Sequence, residues 1–332
     1  MLTPRAGING FGRFGLGLFR AWFEDPGRTY EIAFLNDDAL TIGQIAQILK
    51  YDPVVTAFHH LDIGVEGDRL QIRRADGALL DMEVTTGAVE RARWRAEPQI
   101  IFECSSRASN FTKYADETLS GAQVVLIGAT TDAADATLIV GLNEQAYNAR
   151  TCRVISFGSC TVIPGVHVIN MVQSTAGVRD VLVNIVHSVP KWQLDAGRWT
   201  GLGRKSCTLE VVAPTLVGSV LPEQVKVNYT YAPYYGASVM DFAFRLVSPL
   251  SAAGLLERLT DWVDRHDLGS IIGFADTDLG GAAHTDAHHS IKIIKSSIDV
   301  RGERAFFFGY FNNEGSGIRL HELAESIVRA WP

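Results

Sequence analysis

A chain of 332 residues with 47% apolar and 20% charged side chains is long enough for a large core and for two domains. Its formal net charge of −7 excludes the basic footprint that a nucleic acid or an anionic membrane surface requires. Four cysteines, Cys104, Cys152, Cys160 and Cys207, are too few for a disulfide framework and show no zinc spacing, so they read as reduced thiols. No apolar stretch reaches the roughly 18 residues of a membrane span. No hydrophobic signal core precedes the first motif, so the expected location is the cytoplasm.

In chain order, Gly10, Gly12 and Gly15 form G-x-G-x-x-G within Ile8-Asn9-Gly10-Phe11-Gly12-Arg13-Phe14-Gly15. Leu16, Leu18, Phe19, Trp22 and Phe23 follow at helical spacing. Residues 31–35 then read as a buried strand ending in Asn36-Asp37-Asp38, about 20 residues beyond the last glycine, which is the spacing of a dinucleotide-binding βαβ unit. The glycines allow a tight turn and close approach to a pyrophosphate, and the helix start favours its charge. A carboxylate at Asp37 accepts from a ribose 2′-hydroxyl and repels a 2′-phosphate, with Asp38 able to take that role one residue later. No arginine follows within a few residues, so the reading is NAD rather than NADP.

A helix is predicted over 41–51, with short strands over 70–73 and 79–84. The compact apolar runs 99–103 and 124–127 suit a parallel sheet and end in small polar residues, Ser105-Ser106 and Gly128-Ala129-Thr130-Thr131. Next comes Ile155-Ser156-Phe157-Gly158-Ser159-Cys160-Thr161, an apolar run that delivers a cysteine to the start of a helix predicted over 161–173. Unpaired amides and the helix dipole there favour a thiolate, which makes Cys160 a candidate nucleophile. The other reading is a small buried hydrophobe. Beyond it, alternating β-rich stretches over 181–189, 225–231 and 238–247 predict a mostly antiparallel sheet, with amphipathic helices over 251–266 and 318–331. The fold class is therefore α/β: a doubly wound Rossmann cofactor domain plus an α+β domain.

These motifs, with Leu49-Lys50-Tyr51-Asp52, His187, Ser238-Val239-Met240-Asp241 and Asn312-Asn313-Glu314, have the order and spacing of the glyceraldehyde-3-phosphate dehydrogenases, which the chain resembles from end to end. The resemblance implies an NAD-binding Rossmann domain made of 1–158 and 315–332, a catalytic domain over 159–314, and a homotetramer. It implies that Cys160 and His187 are the catalytic pair, working through a thiohemiacetal and a thioester, and that Asn313 orients the nicotinamide carboxamide. Gly10, Gly12, Arg13, Phe14, Gly15 and Asp37 would hold NAD, while Ser159 and Thr161 would flank the substrate. No metal is implied.

The chain departs from that pattern where the family binds phosphate. Pro190 and Trp192 replace two threonines, Tyr231 replaces an arginine, Glu210-Val211-Val212-Ala213 replaces a Ser-Thr-Gly loop, and Val162-Ile163 replaces Thr-Asn. Tyrosine cannot reproduce the bidentate phosphate contact of a guanidinium. The expected substrate is therefore an aldehyde or acyl compound other than glyceraldehyde 3-phosphate. Tyr229, Tyr231, Tyr234, Tyr235, Trp192 and Trp199 either line an aromatic pocket for it or pack at a subunit interface. Lys191, Arg198, Arg204 and Lys205 are the candidates to rebuild an anion site. An ordinary phosphorylating enzyme and a catalytically silent NAD-binding regulator are the alternatives. The cluster His284-Thr285-Asp286-Ala287-His288-His289 lacks a completed ligand spacing and reads as a solvated loop.

Overall fold

The structure is a computed structural model that describes residues 3–89, 97–116, 122–189, 194–195, 197, 200–284, 288–313 and 315–331. Pro190, Lys191, Trp192, Arg198, Trp199, Thr285, Asp286, Ala287 and Glu314 lie outside the described residues. The chain folds into two compact units, Met1–Gly158 with Gly317–Pro332, and Ser159–Ser316.

The first unit is built on β1 (Arg5–Asn9), which is buried from Ala6 onward. Helix α1 (Arg13–Glu24) carries it to β2 (Glu31–Asp37), and α2 (Ile42–Tyr51) leads on to β3 (Asp62–Glu66), β4 (Arg69–Arg73) and β5 (Leu79–Thr86). Then come β6 (Ile100–Glu103), α3 (Ala108–Asp116), β7 (Val124–Ile127), β8 (Ala136–Thr137) and β9 (Val154–Ser156). The sheet order is β3-β4-β5-β2-β1-β6-β7-β9-β8. From β5 through β8 every pairing is parallel, and only the β3–β4–β5 edge is antiparallel. Residues Ile100–Glu103 and Val124–Ile127 are buried along their whole length, as continuous apolar runs in a two-faced sheet must be.

In the second unit α4 (Val162–Ala176) is followed by β10 (Val178–Ser188), β11 (Gly203–Lys205), α5 (Thr208–Val217), β12 (Val225–Ala232), β13 (Ser238–Leu246) and α6 (Ala252–Arg265). The strands β14 (Ile272–Ala275), β15 (Ile291–Ile294), β16 (Asp299–Arg301) and β17 (Arg304–Phe311) complete its sheet, in the order β11-β12-β10-β13-β17-β15-β14 with β16 beside β17. Parallel pairing is confined to β10–β12 and β14–β15; the other ladders are antiparallel. The core of this sheet is aromatic, with Phe242, Phe244 and Phe307 stacked at centroid distances of 5.4 to 5.8 Å.

The final helix α7 (Gly315–Arg329) packs on the first unit from Gly317 onward. A Cβ on Gly317 would lie 2.6 Å from the backbone of Gly17, so the two glycines let α1 and α7 approach closely. His321 ties the same helix down: one ring nitrogen lies 2.8 Å from the Tyr30 hydroxyl and the other 3.0 Å from Asp25. Glu325 accepts from the Thr29 amide at 2.8 Å. Asp25, His321 and Glu325 have metal-ligand chemistry within 4.8 Å of one another, but these protein partners already occupy them. Among the described residues no helix is long and apolar enough to cross a membrane.

Candidate functional site

The glycine motif forms the turn between β1 and α1. Gly10 has φ of +94°, and a Cβ there would lie 2.5 Å from the Ser105 amide nitrogen. A Cβ on Gly15 would lie 2.1 Å from the Gly10 carbonyl oxygen. Gly12 is the exposed N-cap of α1, with no capping side chain and no acid in the first turn. The helix start therefore offers its amides and dipole to an anion, and a dinucleotide pyrophosphate fits that cradle. Arg13 is tied to Asp52 by an ion pair. The Phe14 ring lies against Phe157, with centroids 5.3 Å apart, and would clash with any side chain at Gly128.

Asp37 faces inward. Its Oδ2 accepts from the Phe11 amide at 2.7 Å, and its Oδ1 accepts from Ala39 and Leu40 at 2.8 and 2.9 Å. At 7% exposure it braces the glycine turn, with three of its four acceptor positions taken by those amides. Asp38 instead lines an open cleft at the carboxyl ends of β1, β2 and β6. Beneath the turn, Glu103 accepts from Asn9 at 2.6 Å, Tyr114 at 2.8 Å and the Ser105 amide at 2.8 Å. An acid closing an apolar strand was the sequence signal for this brace, which motif reading passed over. Burial pushes its carboxyl above the usual range, against those hydrogen bonds.

In the second unit Cys160 and His187 meet. Cys160 precedes α4, where Ser159 Oγ accepts from the Val162 amide at 3.2 Å and lies 3.2 Å from Thr161 Oγ1. Thr161 Oγ1 in turn lies 3.6 Å from Cys207 Sγ. His187 is at the end of β10, with Nε2 3.5 Å from Cys160 Sγ and Nδ1 2.6 Å from the Ser188 carbonyl oxygen. A carbonyl only accepts, so Nδ1 carries the proton and Nε2 of the neutral ring is left to receive one from the thiol. Burial pulls the imidazole below its usual pKa, opposed by the Ser188 carbonyl and by a hydrogen bond to the Asn313 side chain. Asn313, expected at the nicotinamide, is thus a direct neighbour of the histidine ring.

The thiol departs from its sequence-based expectation. Burial, with Cys207 adding to it, pushes Cys160 up to about 12, and the backbone amides of Cys160 and Thr161 offset only part of this. Desolvation opposes the helix start here, and the two shifts, up for the thiol and down for the imidazole, both favour the neutral forms.

The parallel register of β10 and β12 sets His187 beside Tyr231 and Ile185 beside Tyr229. The imidazole consequently packs among Tyr231, Tyr229 and Phe311, at centroid distances of 5.1, 5.5 and 5.5 Å. Tyr229 and Tyr231 meet edge to face with ring centroids 5.0 Å apart, and Lys205 Nζ stands 4.8 Å over the Tyr231 ring. Arg204 is exposed on β11. Tyr234 donates to the Ala237 carbonyl at 2.6 Å, and Tyr235 is 48% exposed.

The position of the family's phosphate loop is helical, and one residue of the expected solvated loop is buried. Glu210-Val211-Val212-Ala213 lies inside α5, where Glu210 accepts from the Val227 amide at 2.7 Å. His284 is not solvated: it is 7% exposed and stacks on Tyr310 at 4.8 Å. An aromatic partner distant in sequence leaves no local signal, whereas His288 is exposed as expected.

A glycine turn of the dinucleotide type in an α/β sheet, and a thiol–imidazole pair in a mostly antiparallel one, define the class to which the chain is structurally akin. No family model matches the chain. It is 26% identical to glyceraldehyde-3-phosphate dehydrogenase 1 of Bacillus subtilis over 99% of both chains. It is likewise 26% identical to the glyceraldehyde-3-phosphate dehydrogenase of Geobacillus stearothermophilus, over 98% of this chain and 99% of that one. Glyceraldehyde-3-phosphate dehydrogenase 4 of Caenorhabditis elegans is 25% identical over 99% of both. The chain is a distant, divergent relative of these proteins along its whole length.

Proposed function

We propose that the chain is an NAD-dependent aldehyde dehydrogenase of the glyceraldehyde-3-phosphate dehydrogenase type, whose substrate is not glyceraldehyde 3-phosphate. The observation that carries the chemistry is the 3.5 Å approach of Cys160 Sγ to His187 Nε2. The thiol proton passes to Nε2 as the sulfur adds to the aldehyde carbon, and His187 returns that proton to the carbonyl oxygen to give a thiohemiacetal on Cys160, leaving Nε2 free again. Bound NAD supplies the two-electron acceptor for its oxidation. His187 then receives the proton of the hydroxyl as the carbonyl re-forms, leaving an acyl thioester on Cys160. Water or another acyl acceptor releases the product.

Support for the change of substrate comes from Tyr231, which sits against the histidine ring in place of a phosphate-binding arginine, and from α5, which replaces a phosphate loop. Tyr231, Ser159 and Thr161 are the described residues assigned to the substrate, with Pro190 and Trp192 assigned from sequence alone. Gly10, Gly12, Arg13, Phe14, Gly15 and Asp37 are assigned to NAD, and the working form to a cytoplasmic homotetramer with an NAD-binding first domain and a catalytic second one.

The test measures NADH formation from glyceraldehyde 3-phosphate, with and without inorganic phosphate, beside a panel of unphosphorylated aldehydes. Phosphate-dependent turnover of the triose phosphate above that of the panel overturns the substrate assignment. Aldehyde oxidation that survives Cys160→Ser overturns the covalent mechanism.

A further inference from the structure

We propose that Ser238 is a positioning residue for the reaction at Cys160, its buried hydroxyl holding Ser188 so that the Ser188 carbonyl fixes the tautomer of His187. The inference rests on the covalent reading given above and deepens it. A histidine that takes a proton on Nε2 must carry its own on Nδ1, and the bond made by Nδ1 decides whether it does. Here that bond runs to a main-chain carbonyl, so whatever holds the main chain holds the base.

The paired register of β10 and β13 ends at Val186 and Val239. Just beyond it a side chain takes over from the ladder: Ser238 Oγ accepts from the Ser188 amide at 3.0 Å, and the two serine hydroxyl oxygens lie 3.2 Å apart. Both serines are buried. A buried amide needs an acceptor, and the Ser238 oxygen supplies it. The next peptide is held as well, because the Val189 amide donates to the Tyr234 carbonyl at 3.2 Å. That amide and the Ser188 carbonyl belong to one planar peptide unit. Ser188 is therefore gripped on both sides, with its oxygen 2.6 Å from His187 Nδ1.

Ser238 reaches the ring by a second route. In β13 it pairs with Phe311 of β17, and the Phe311 ring meets the imidazole edge to face at 5.5 Å. The groups around the imidazole are Cys160 at Nε2, the Ser188 carbonyl at Nδ1, the rings of Tyr229, Tyr231 and Phe311, and the Asn313 side chain. None of these is a carboxylate, so among the described residues the main chain orients the base.

Removing the Ser238 hydroxyl leaves a buried amide without its acceptor, and the Ser188 peptide shifts to find another. The carbonyl then leaves Nδ1. The neutral ring populates its Nε2–H form, which cannot accept the thiol proton, and the protonated ring loses an acceptor, which makes it harder to protonate. General loosening of the site acts the other way on protonation, because hydration relieves the burial that holds the imidazole below its usual value.

The test compares Ser238→Ala and Ser238→Thr with the wild type. NADH formation is measured on whichever of glyceraldehyde 3-phosphate, glyceraldehyde and propionaldehyde the wild type oxidises fastest, with NAD titration as the control for folding. Ser238→Ala should lower kcat by more than about tenfold and move the acid limb of the kcat/KM profile to lower pH. Ser238→Thr keeps the hydroxyl and should recover both. A smaller loss of kcat, an acid limb that stays or moves up, or a threonine variant no better than the alanine one overturns the role. Full activity in Ser238→Ala removes only this proposal, whereas a wild type that forms no NADH from any of the three removes the dehydrogenase reading with it.

Discussion

Cys160 and His187 face each other across 3.5 Å with the histidine's other nitrogen bonded to the Ser188 carbonyl. That second bond fixes the tautomer, so the nitrogen facing the sulfur is the one able to take its proton. The geometry therefore suits direct proton transfer from the sulfur to Nε2. Burial lowers the histidine and raises the thiol to about 12, and both shifts favour neutral partners at neutral pH.

Alkylation of Cys160 by iodoacetamide should accordingly keep rising with pH through the range 8 to about 10 rather than levelling near neutrality, because the thiolate is the reactive form. A plateau below pH 8 would show a standing thiolate–imidazolium pair instead. His187→Asn should lower kcat for aldehyde oxidation by about 10²- to 10⁴-fold, the usual contribution of a positioned acid–base group. Steady-state kinetics on the purified variant checks this, with NAD titration as the control for folding.

Tyr231 stands at the wall of the imidazole, with the Tyr229 ring against it. If this position sets the substrate, Tyr231→Arg should raise kcat/KM for glyceraldehyde 3-phosphate by about tenfold, since the new guanidinium offers two donors to its phosphate. An unchanged or lower kcat/KM would place the specificity elsewhere.

Two buried histidines give stability a pH dependence of definite sign. His187 and His321 are both held below the usual imidazole value, chiefly by burial. With folded values below the unfolded value of about 6.5, the unfolded chain binds protons first as pH falls. Their stabilising contribution is thus present above that pH and is lost as pH falls from about 6.5 through the folded values. The urea midpoint should drop between pH 7.5 and pH 5.5, and the drop should shrink in His321→Asn measured over the same range. An identical slope in the variant would assign the effect to other groups.

The α1–α7 contact depends on the absence of a side chain at Gly317. A methyl group there would meet the Gly17 carbonyl carbon and the Leu18 amide, both at 2.6 Å, and backbone cannot step aside as a side-chain tip can. Gly317→Ala should cost about 1–3 kcal/mol of unfolding free energy, the range for overpacking a tight contact. Urea denaturation at constant m-value measures it; a loss below about 0.5 kcal/mol would show that the helices separate freely.

What the residues determined by themselves was local and periodic. The glycine turn, the buried strands Ile100–Glu103 and Val124–Ile127 and the helix behind Cys160 follow from backbone sterics and hydrophobic spacing, which act between near neighbours. Helix α5 and strand β17 escaped that reading: Pro214 interrupts the one, and the other is a near-continuous aromatic run without clean alternation. Only the tertiary structure decided the rest. Sheet register placed Tyr231 beside His187, burial set a desolvation cost against the helix start at Cys160, and a loop 69 positions beyond Asp38 (107 − 38 = 69) brought Arg107 to it. Burial and long-range pairing depend on how the whole chain closes, and no window of sequence contains that information.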